Sequence, residues 1–133
     1  MNGKAFEPIP SDVEEAARQV VGAAMAVHKA LGPGLLESVY EACLCHELNQ
    51  RGLSFERQVA LPVSYRGLKL DAGLRLDLVV GRKVIVELKS VEATQPVHEA
   101  QLLTYLKLTG VRFGLLINFS SALLRDGIKR MAL

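Results

Sequence analysis

The chain has no tryptophan, few aromatic residues (5%) and only two cysteines among its 133 residues. Cys43 and Cys45 stand two apart in a helical pattern, where they cannot bridge, so we expect free thiols in a reducing cytoplasm. Without further Cys or His at ligand spacing, this pair is also a poor zinc site. No apolar run approaches the roughly 20 residues that span a bilayer, so we expect no membrane segment. Internal repeats, linkers and low-complexity segments are missing as well.

What the chain does have is a large share of hydrophobic residues, 50% against 23% charged. This balance predicts one soluble globular domain, residues 1–133, with residues 1–10 as a loose N-terminal arm. The net charge of +2 conceals an asymmetry, because residues 51–133 carry 13 basic and 7 acidic side chains. That part of the chain, at net +6, permits a polyanionic partner without requiring one.

Helical and β-type patterns follow one another along the chain. The predicted elements are helices near 11–31, 35–50 and 96–109, and strands over 55–63, 68–70, 74–80, 84–89 and 111–118. Ser11 and Glu14 have the spacing of a capping box at the start of the first helix. The order of elements predicts an α/β domain, with a mixed central sheet of about four strands flanked by helices.

The most informative stretch is Leu74–Lys89, in which two β-type runs flank Gly81-Arg82 and predict a hairpin. Strand side chains alternate between the two faces of a sheet, so they can be sorted by parity. One set is wholly apolar and consists of Leu76, Leu78, Val80, Val84, Val86 and Leu88. The other set consists of Arg75, Asp77, Val79, Ile85, Glu87 and Lys89.

The apolar residues of both strands share a face only if the loop has an odd length, such as Val80–Arg82. We expect this register, which puts Asp77 opposite Ile85. A two-residue turn would instead move Glu87 into the apolar layer. With the odd loop, Asp77, Glu87 and Lys89 gather on one face of the hairpin, which is a metal-site geometry in outline.

Plainer explanations exist for the same residues. The charged set of the hairpin is also compatible with an exposed salt-bridged ladder, a common feature of sheets. Glu37 stands in the first turn of the second helix, where the helix dipole alone favours a carboxylate. Tyr40 has the spacing of the buried stripe of that helix, so we expect it to pack in the core with its hydroxyl bonded.

Several motifs resemble those of a known superfamily. Asp77, followed after a short gap by Glu87-Leu88-Lys89, resembles the D…(D/E)xK signature of the PD-(D/E)xK nucleases. The stretch Leu31–Tyr40 resembles the signature of the GxxExxY family, small bacterial and archaeal proteins placed in that superfamily. Gln101–Leu106 is similar to its QxxxY helix, and segments 118–119 and 126–130 are similar to its C-terminal part. The resemblance covers residues 11–130 and implies a restriction-endonuclease-like core.

The resemblance implies a hydrolase, a Mg²⁺-dependent nuclease that cleaves phosphodiester bonds in DNA, with Mn²⁺ as a possible substitute. The implied metal ligands are Asp77, Glu87, Glu37 and the backbone carbonyl of Leu88. The implied catalytic residues are Glu37, Asp77, Glu87, Lys89, Gln101 and Tyr105. The candidate nucleic-acid contacts are Arg75, Arg57, Lys129 and Arg130.

Two other classes of function stay open. The chain could be a non-catalytic nucleic-acid-binding or accessory protein that retains the fold, or a regulator that binds only proteins. The intact Asp77, Glu87 and Lys89 argue against a degenerate site, whereas the modest net charge argues against tight unaided DNA binding. Because a domain of this size has little surface for DNA, we expect a homodimer or a protein partner.

Overall fold

Residues 8–133, apart from the side chain at position 72, are described by a computed structural model with three α-helices and five strands. The elements are α1 Ser11–Leu31, α2 Glu37–Gln50, β1 Phe55–Tyr65, β2 Leu68–Val80, β3 Val84–Lys89, α3 Pro96–Thr109, β4 Phe113–Asn118 and β5 Ile128–Ala132. A 3-10 turn, Leu124–Gly127, precedes β5. Most of the predicted N-terminal arm lies outside the described residues. No helix in the described part is long and apolar enough to cross a membrane.

The strands form one sheet in the order β1-β2-β3-β4-β5. All neighbours are antiparallel except β3 and β4, which run parallel and are joined by a crossover through α3. The predicted α/β fold with a mixed sheet between helices is therefore confirmed. The sheet has five strands instead of about four, because residues 128–132 add β5 at one edge. The short strand predicted over 68–70 is continuous with the first strand of the hairpin, as β2.

Helices cover both faces of the sheet. A large cluster of buried apolar side chains packs α1 and α2 against one face of the sheet. A smaller apolar cluster packs α3 against the other face. The α1 side of the large cluster is built from small residues: Ala16, Ala17, Val20, Ala23, Ala24 and Val27. The central strands β3 and β4 are buried on both faces, apart from the half-buried last residue of β3. Their nearly continuous apolar sequences are typical of strands buried in this way.

The start of α1 differs from the prediction. Pro10 occupies the N-cap and no side chain caps the helix, so the capping box of Ser11 and Glu14 is wrong. The Pro10 carbonyl instead accepts the N–H groups of Val13 and Glu14, at 3.1 and 3.0 Å. The carboxylate of Glu14 is used elsewhere, in an ion pair of 2.5 Å with Arg130 of β5.

The hairpin of β2 and β3 has an odd loop, as predicted, but a different register. Val80 pairs with Val84 and Val79 with Ile85, which leaves residues 81–83 as the loop. The prediction of Asp77 opposite Ile85 is therefore wrong by two residues. Gly81 and residue 82 both adopt positive φ, 58° and 59°, and such a pair matches the twist of a hairpin. Because the shift is even, Glu87 stays out of the layer formed with α1 and α2.

The apolar face of β2 is interrupted at Asp77. Leu78 packs in the cluster under α1 and α2, whereas Leu76 packs with Ile85 under α3. The prediction that Leu76 shares the face of Leu78 is therefore wrong. The point at which the apolar side chains of β2 change face lies beside Gln58 of β1. The φ of Gln58 is 49°, in the left-handed region, and this conformation redirects the chain that follows it. Because β2 pairs with β1 on both sides of this point, the two strands change face together.

Candidate functional site

Two carboxylates occupy the point where β2 and β3 separate. The paired ladder of these strands ends at Leu78 and Val86. Beyond it, the Asp77 N–H donates to Glu87 Oε2 at 2.8 Å. The Leu88 N–H donates to Asp77 Oδ2, also at 2.8 Å. Each carboxylate thus satisfies a backbone N–H beside the other, and the predicted proximity of Asp77 and Glu87 is confirmed.

Burial dominates the electrostatics of this pair. Glu87 is 7% exposed, and burial, followed by the charge of Asp77, raises its pKa to about 8. Burial also raises the pKa of Asp77, and the charge of Glu41 acts in the same direction. The charge of Lys89, at the end of β3, lowers both pKa values. Two adjacent carboxylates, one buried and one half-buried, repel each other when both are ionised, and a cation between them relieves that repulsion.

Two more of the predicted residues reach the pair from separate helices. Glu37 is the first residue of α2, and its charge adds to burial and Asp77 in raising the pKa of Glu87. Tyr105 lies on α3, where burial and then the charges of Glu87 and Asp77 raise the pKa of its phenol. Gln101 is exposed one turn earlier on α3, and its side chain makes no hydrogen bond within residues 8–133. Glu37 and Tyr105 therefore lie within electrostatic range of the carboxylates, whereas Gln101 lies on the helix surface.

Two residues beside the pair were not expected from the sequence. Glu41 follows Glu37 by one helical turn and is 8% exposed. Its carboxylate accepts hydrogen bonds from Arg57 Nε at 3.1 Å and from Gln58 Nε2 at 2.8 Å. Gln58 Nε2 also lies 3.5 Å from Asp77 Oδ1. The one-turn spacing of Glu41 from Glu37 is a signal that the sequence contains, whereas nothing in the sequence marks the left-handed backbone of Gln58.

The four predicted phosphate contacts lie in two places. Arg57 and Arg75 are beside the carboxylates, where Arg57 forms a 3.0 Å ion pair with a glutamate of α2. Arg75 Nη1 donates to a carbonyl of β1 at 3.3 Å. Lys129 and Arg130 lie on β5 and form ion pairs of 2.9 and 2.5 Å with glutamates of α3 and α1. These two are not brought to the site, because β3 and β4 separate their strand from β2.

The donor set of the pair suits a hard divalent cation. Carboxylate oxygens are ligands that Mg²⁺ prefers, and this ion keeps several waters when it binds, so few protein ligands suffice. Among residues 8–133, no three His, Cys, Asp or Glu side chains are grouped closely enough to hold a metal ion. The residues present therefore fit a cation held by Asp77 and Glu87 and otherwise by water.

The loop before α2 is held in place by Tyr40. Its hydroxyl donates to the Gly32 carbonyl at 2.5 Å and accepts the Leu35 N–H at 3.1 Å. Its ring is fully buried and stacks on Phe119, with the ring centroids 4.5 Å apart. The expected packing role of Tyr40, with a bonded hydroxyl, is confirmed. Because Phe119 directly follows β4, these contacts fix the start of α2, and with it Glu37, against the sheet.

Replacing Tyr40 with phenylalanine removes only the hydroxyl that bridges this loop. The Leu35 N–H and the Gly32 carbonyl each lose a partner, so we expect the free energy of unfolding to fall by about 1–3 kcal/mol. Urea denaturation measures this change. Tyr65→Phe is the matched control, because the Tyr65 ring is 61% exposed, and it should leave the midpoint unchanged. A Tyr40→Phe protein as stable as the unmodified one would contradict the role of the hydroxyl.

A mixed sheet between helices, with an acidic pair and a lysine where two strands separate, defines a nuclease-like α/β domain. The family model of the PD-(D/E)XK nuclease superfamily matches residues 14–131. The chain therefore belongs to the PD-(D/E)XK nuclease superfamily. Nucleases of this superfamily generally depend on divalent metal ions. No curated protein and no solved structure matches the chain.

Proposed function

We propose that the chain is a metal-dependent nuclease of the GxxExxY family that hydrolyses phosphodiester bonds in DNA. The observation that carries this proposal is the pair of adjacent carboxylates, buried Glu87 and half-buried Asp77, held together by reciprocal backbone hydrogen bonds. Desolvation and mutual repulsion make such a pair unfavourable in a fold that binds no cation. Membership of the nuclease superfamily supports the same chemistry.

Asp77 and Glu87 are the proposed direct ligands of Mg²⁺, for which Mn²⁺ can substitute. The backbone carbonyl of Leu88 is a further proposed ligand, since the N–H of that residue already contacts Asp77. Glu37, at the start of α2, would act through a water molecule, because no third carboxylate of the described residues lies close enough to share the ion. When bound, such an ion polarises the phosphate and lowers the pKa of water, the two effects that assist phosphodiester hydrolysis.

Lys89 and the α3 residues would act on the substrate itself. The ammonium of Lys89 lies beside the pair, where it would offset phosphate charge or orient the attacking water. The phenol of Tyr105, whose pKa is raised above its usual value by burial and by the charges of the pair, would donate to a phosphate oxygen. Gln101 would brace the site or contact the DNA backbone from the exposed face of the same helix.

The proposed DNA surface lies around the site, and two further candidate contacts lie apart from it on the edge strand β5. Arg75 and Arg57 are the proposed contacts next to the cleavage point. Lys129 and Arg130, at the other edge, would exchange their glutamate partners for phosphates. Since a net charge of +2 supplies little unaided affinity, we propose that a homodimer or a protein partner completes this surface.

The test of this function is ion binding and DNA cleavage by the unmodified protein. Calorimetric titration with MgCl₂ or MnCl₂ should detect binding, and single- and double-stranded DNA should be cleaved only when the ion is present. DNA retention that is indifferent to the ion, without cleavage, would instead favour the non-catalytic accessory class. No ion binding together with no cleavage of any substrate would make the nuclease proposal wrong.

A further inference from the structure

Gln58 connects the carboxylate pair to a further acidic residue. Its amide nitrogen donates to Glu41 Oε1 at 2.8 Å and lies 3.5 Å from Asp77 Oδ1. This nitrogen carries two hydrogens, so one amide can face both carboxylates at once. The contact with Glu41 is a full hydrogen bond, whereas the contact with Asp77 is at the limit of one. Asp77 Oδ2 accepts the Leu88 N–H at 2.8 Å, whereas Oδ1 has only this longer contact, so Oδ1 is the less engaged oxygen for a cation.

Glu41 is a rigid anchor for this amide. Its side chain is almost buried, and its Oε2 accepts from Arg57 Nε at 3.1 Å and Nη2 at 3.0 Å. Both oxygens of Glu41 are thus engaged, one by the guanidinium and one by Gln58. The guanidinium offsets the cost of burying the carboxylate. Although Gln58 is exposed, its amide is therefore positioned by the hydrogen bond to Glu41.

The backbone of Gln58 is in a conformation that glutamine rarely adopts. Its φ is 49°, and its carbonyl accepts a hydrogen bond from Arg75 Nη1 at 3.3 Å. Left-handed backbone at a residue with a side chain costs free energy and is concentrated at functional sites. Glycine would adopt this φ without that cost, so stability alone does not explain a glutamine here.

We propose that Gln58 and Glu41 form a positioning pair for Asp77. Glu41 holds the Gln58 amide, and the amide directs Asp77 Oδ1 toward the cation. This role rests on the proposed nuclease function, because Asp77 requires such positioning only if it binds an ion. Side chains that orient metal ligands typically contribute about 10–100-fold to metal affinity or activity. Neither Gln58 nor Glu41 touches the ion or the substrate in this role.

The variant Gln58→Gly tests the positioning of Asp77 separately from the stability of the fold. Glycine adopts the left-handed backbone without strain, and the variant lacks the side-chain amide. We expect Mn²⁺ affinity, measured by calorimetry, to fall about 10–100-fold. Relief of the left-handed backbone opposes the loss of the hydrogen bond to Glu41, so the denaturation midpoint should change little. On a minimal chromogenic phosphodiester, kcat should fall and KM should change little. Glu41→Gln keeps an oxygen for the Gln58 amide, so it should retain more Mn²⁺ affinity than Glu41→Ala. A merely structural role would lower the midpoint and leave the affinity unchanged.

Matched controls exist on the same helix, α2. Glu47 forms a longer, more exposed ion pair with Arg51 at 3.8 Å, so Glu47→Gln removes a glutamate charge of the same helix away from the site. Together with Gln50→Ala, at an exposed glutamine, it should leave Mn²⁺ affinity unchanged. If Gln58→Gly binds Mn²⁺ as tightly as an active unmodified protein, the positioning role is wrong and the nuclease proposal stands. If the unmodified protein neither binds Mn²⁺ nor cleaves, the nuclease proposal is wrong and the positioning role falls with it.

Discussion

Asp77→Asn and Lys89→Ala should each lower metal-dependent DNA cleavage by about 10²-fold or more. The asparagine keeps an oxygen for the Leu88 N–H but removes the charge that would hold the ion. Alanine at position 77 would in addition leave that N–H without its partner, so asparagine is the cleaner change. Lys89→Ala removes an ammonium whose charge acts on both carboxylates and would offset charge on the phosphate. Both variants should remain folded, because neither change opens a cavity in the apolar core.

The measurement is the rate of plasmid nicking at a fixed MgCl₂ concentration, with thermal unfolding as a check on the fold. Asp71→Asn is the control for the carboxylate, since Asp71 is an exposed residue of the same strand, β2. Lys107→Ala is the control for the lysine, at an exposed position on α3. Both controls should cleave at the unmodified rate. Full activity in Asp77→Asn or Lys89→Ala would remove that residue from the catalytic set.

In the absence of metal, the protein should become less stable as the pH rises from about 4.5 to about 8. The Glu87 carboxyl ionises near 4.5 in the unfolded chain and near 8 in the fold. Between these values the folded state binds more protons than the unfolded state, so the free energy of unfolding falls as pH rises. At about 1.4 kcal/mol per pKa unit, the expected loss is a few kcal/mol. The raised pKa of Asp77 acts in the same direction.

Glu87→Gln tests the origin of this pH dependence. An amide does not ionise, yet its oxygen can still accept the Asp77 N–H. The variant should therefore show a flatter stability profile in urea denaturation and exceed the unmodified protein in stability near pH 8. Adding MgCl₂ at that pH should stabilise the unmodified protein and not the variant, because an ion that binds only the folded state raises its stability.

The control for this variant is Glu92→Gln, at an exposed glutamate in the loop after β3. It should keep the slope of the unmodified protein. An unchanged slope in Glu87→Gln would show that the pH dependence arises elsewhere. Stabilisation of Glu87→Gln by MgCl₂, equal to that of the unmodified protein, would argue that the ion binds at another place.

The hairpin illustrates how far parity carries a prediction. Alternation of side chains is a local property of strands, so the odd loop and the separation of Glu87 from the α1 and α2 layer were predictable. Several odd loops preserve the same parity, however. The choice among them followed from residues 81 and 82, which both take positive φ and shift the register by two. The alternation of side chains therefore predicted that Asp77 and Glu87 lie near each other. It did not specify which residues of the two strands form pairs.

Among the other site candidates, some positions were also predictable from the sequence and one was not. Tyr40 was predicted to pack with a bonded hydroxyl, because its spacing matches the buried stripe of α2. Glu37 and Tyr105 were implied by motif resemblance, and the structure brings both near the carboxylates. Lys129 was a candidate phosphate contact because of its charge, but it lies on an edge strand whose position only the topology of the sheet could give.

The sequence by itself determined the α/β order of elements and the adjacency of Asp77 and Glu87. Both follow from the periodicity of apolar residues along single elements, which depends on near neighbours. Only the tertiary structure decided that β1 and β2 change face at Asp77 and that Gln58 and Glu41 stand behind it. Gln58 of β1 adopts a positive φ, and its amide contacts Glu41 of α2 and Asp77 of β2. This arrangement exists only because these three elements meet there. Such contacts join residues far apart in the chain, so no local pattern records them.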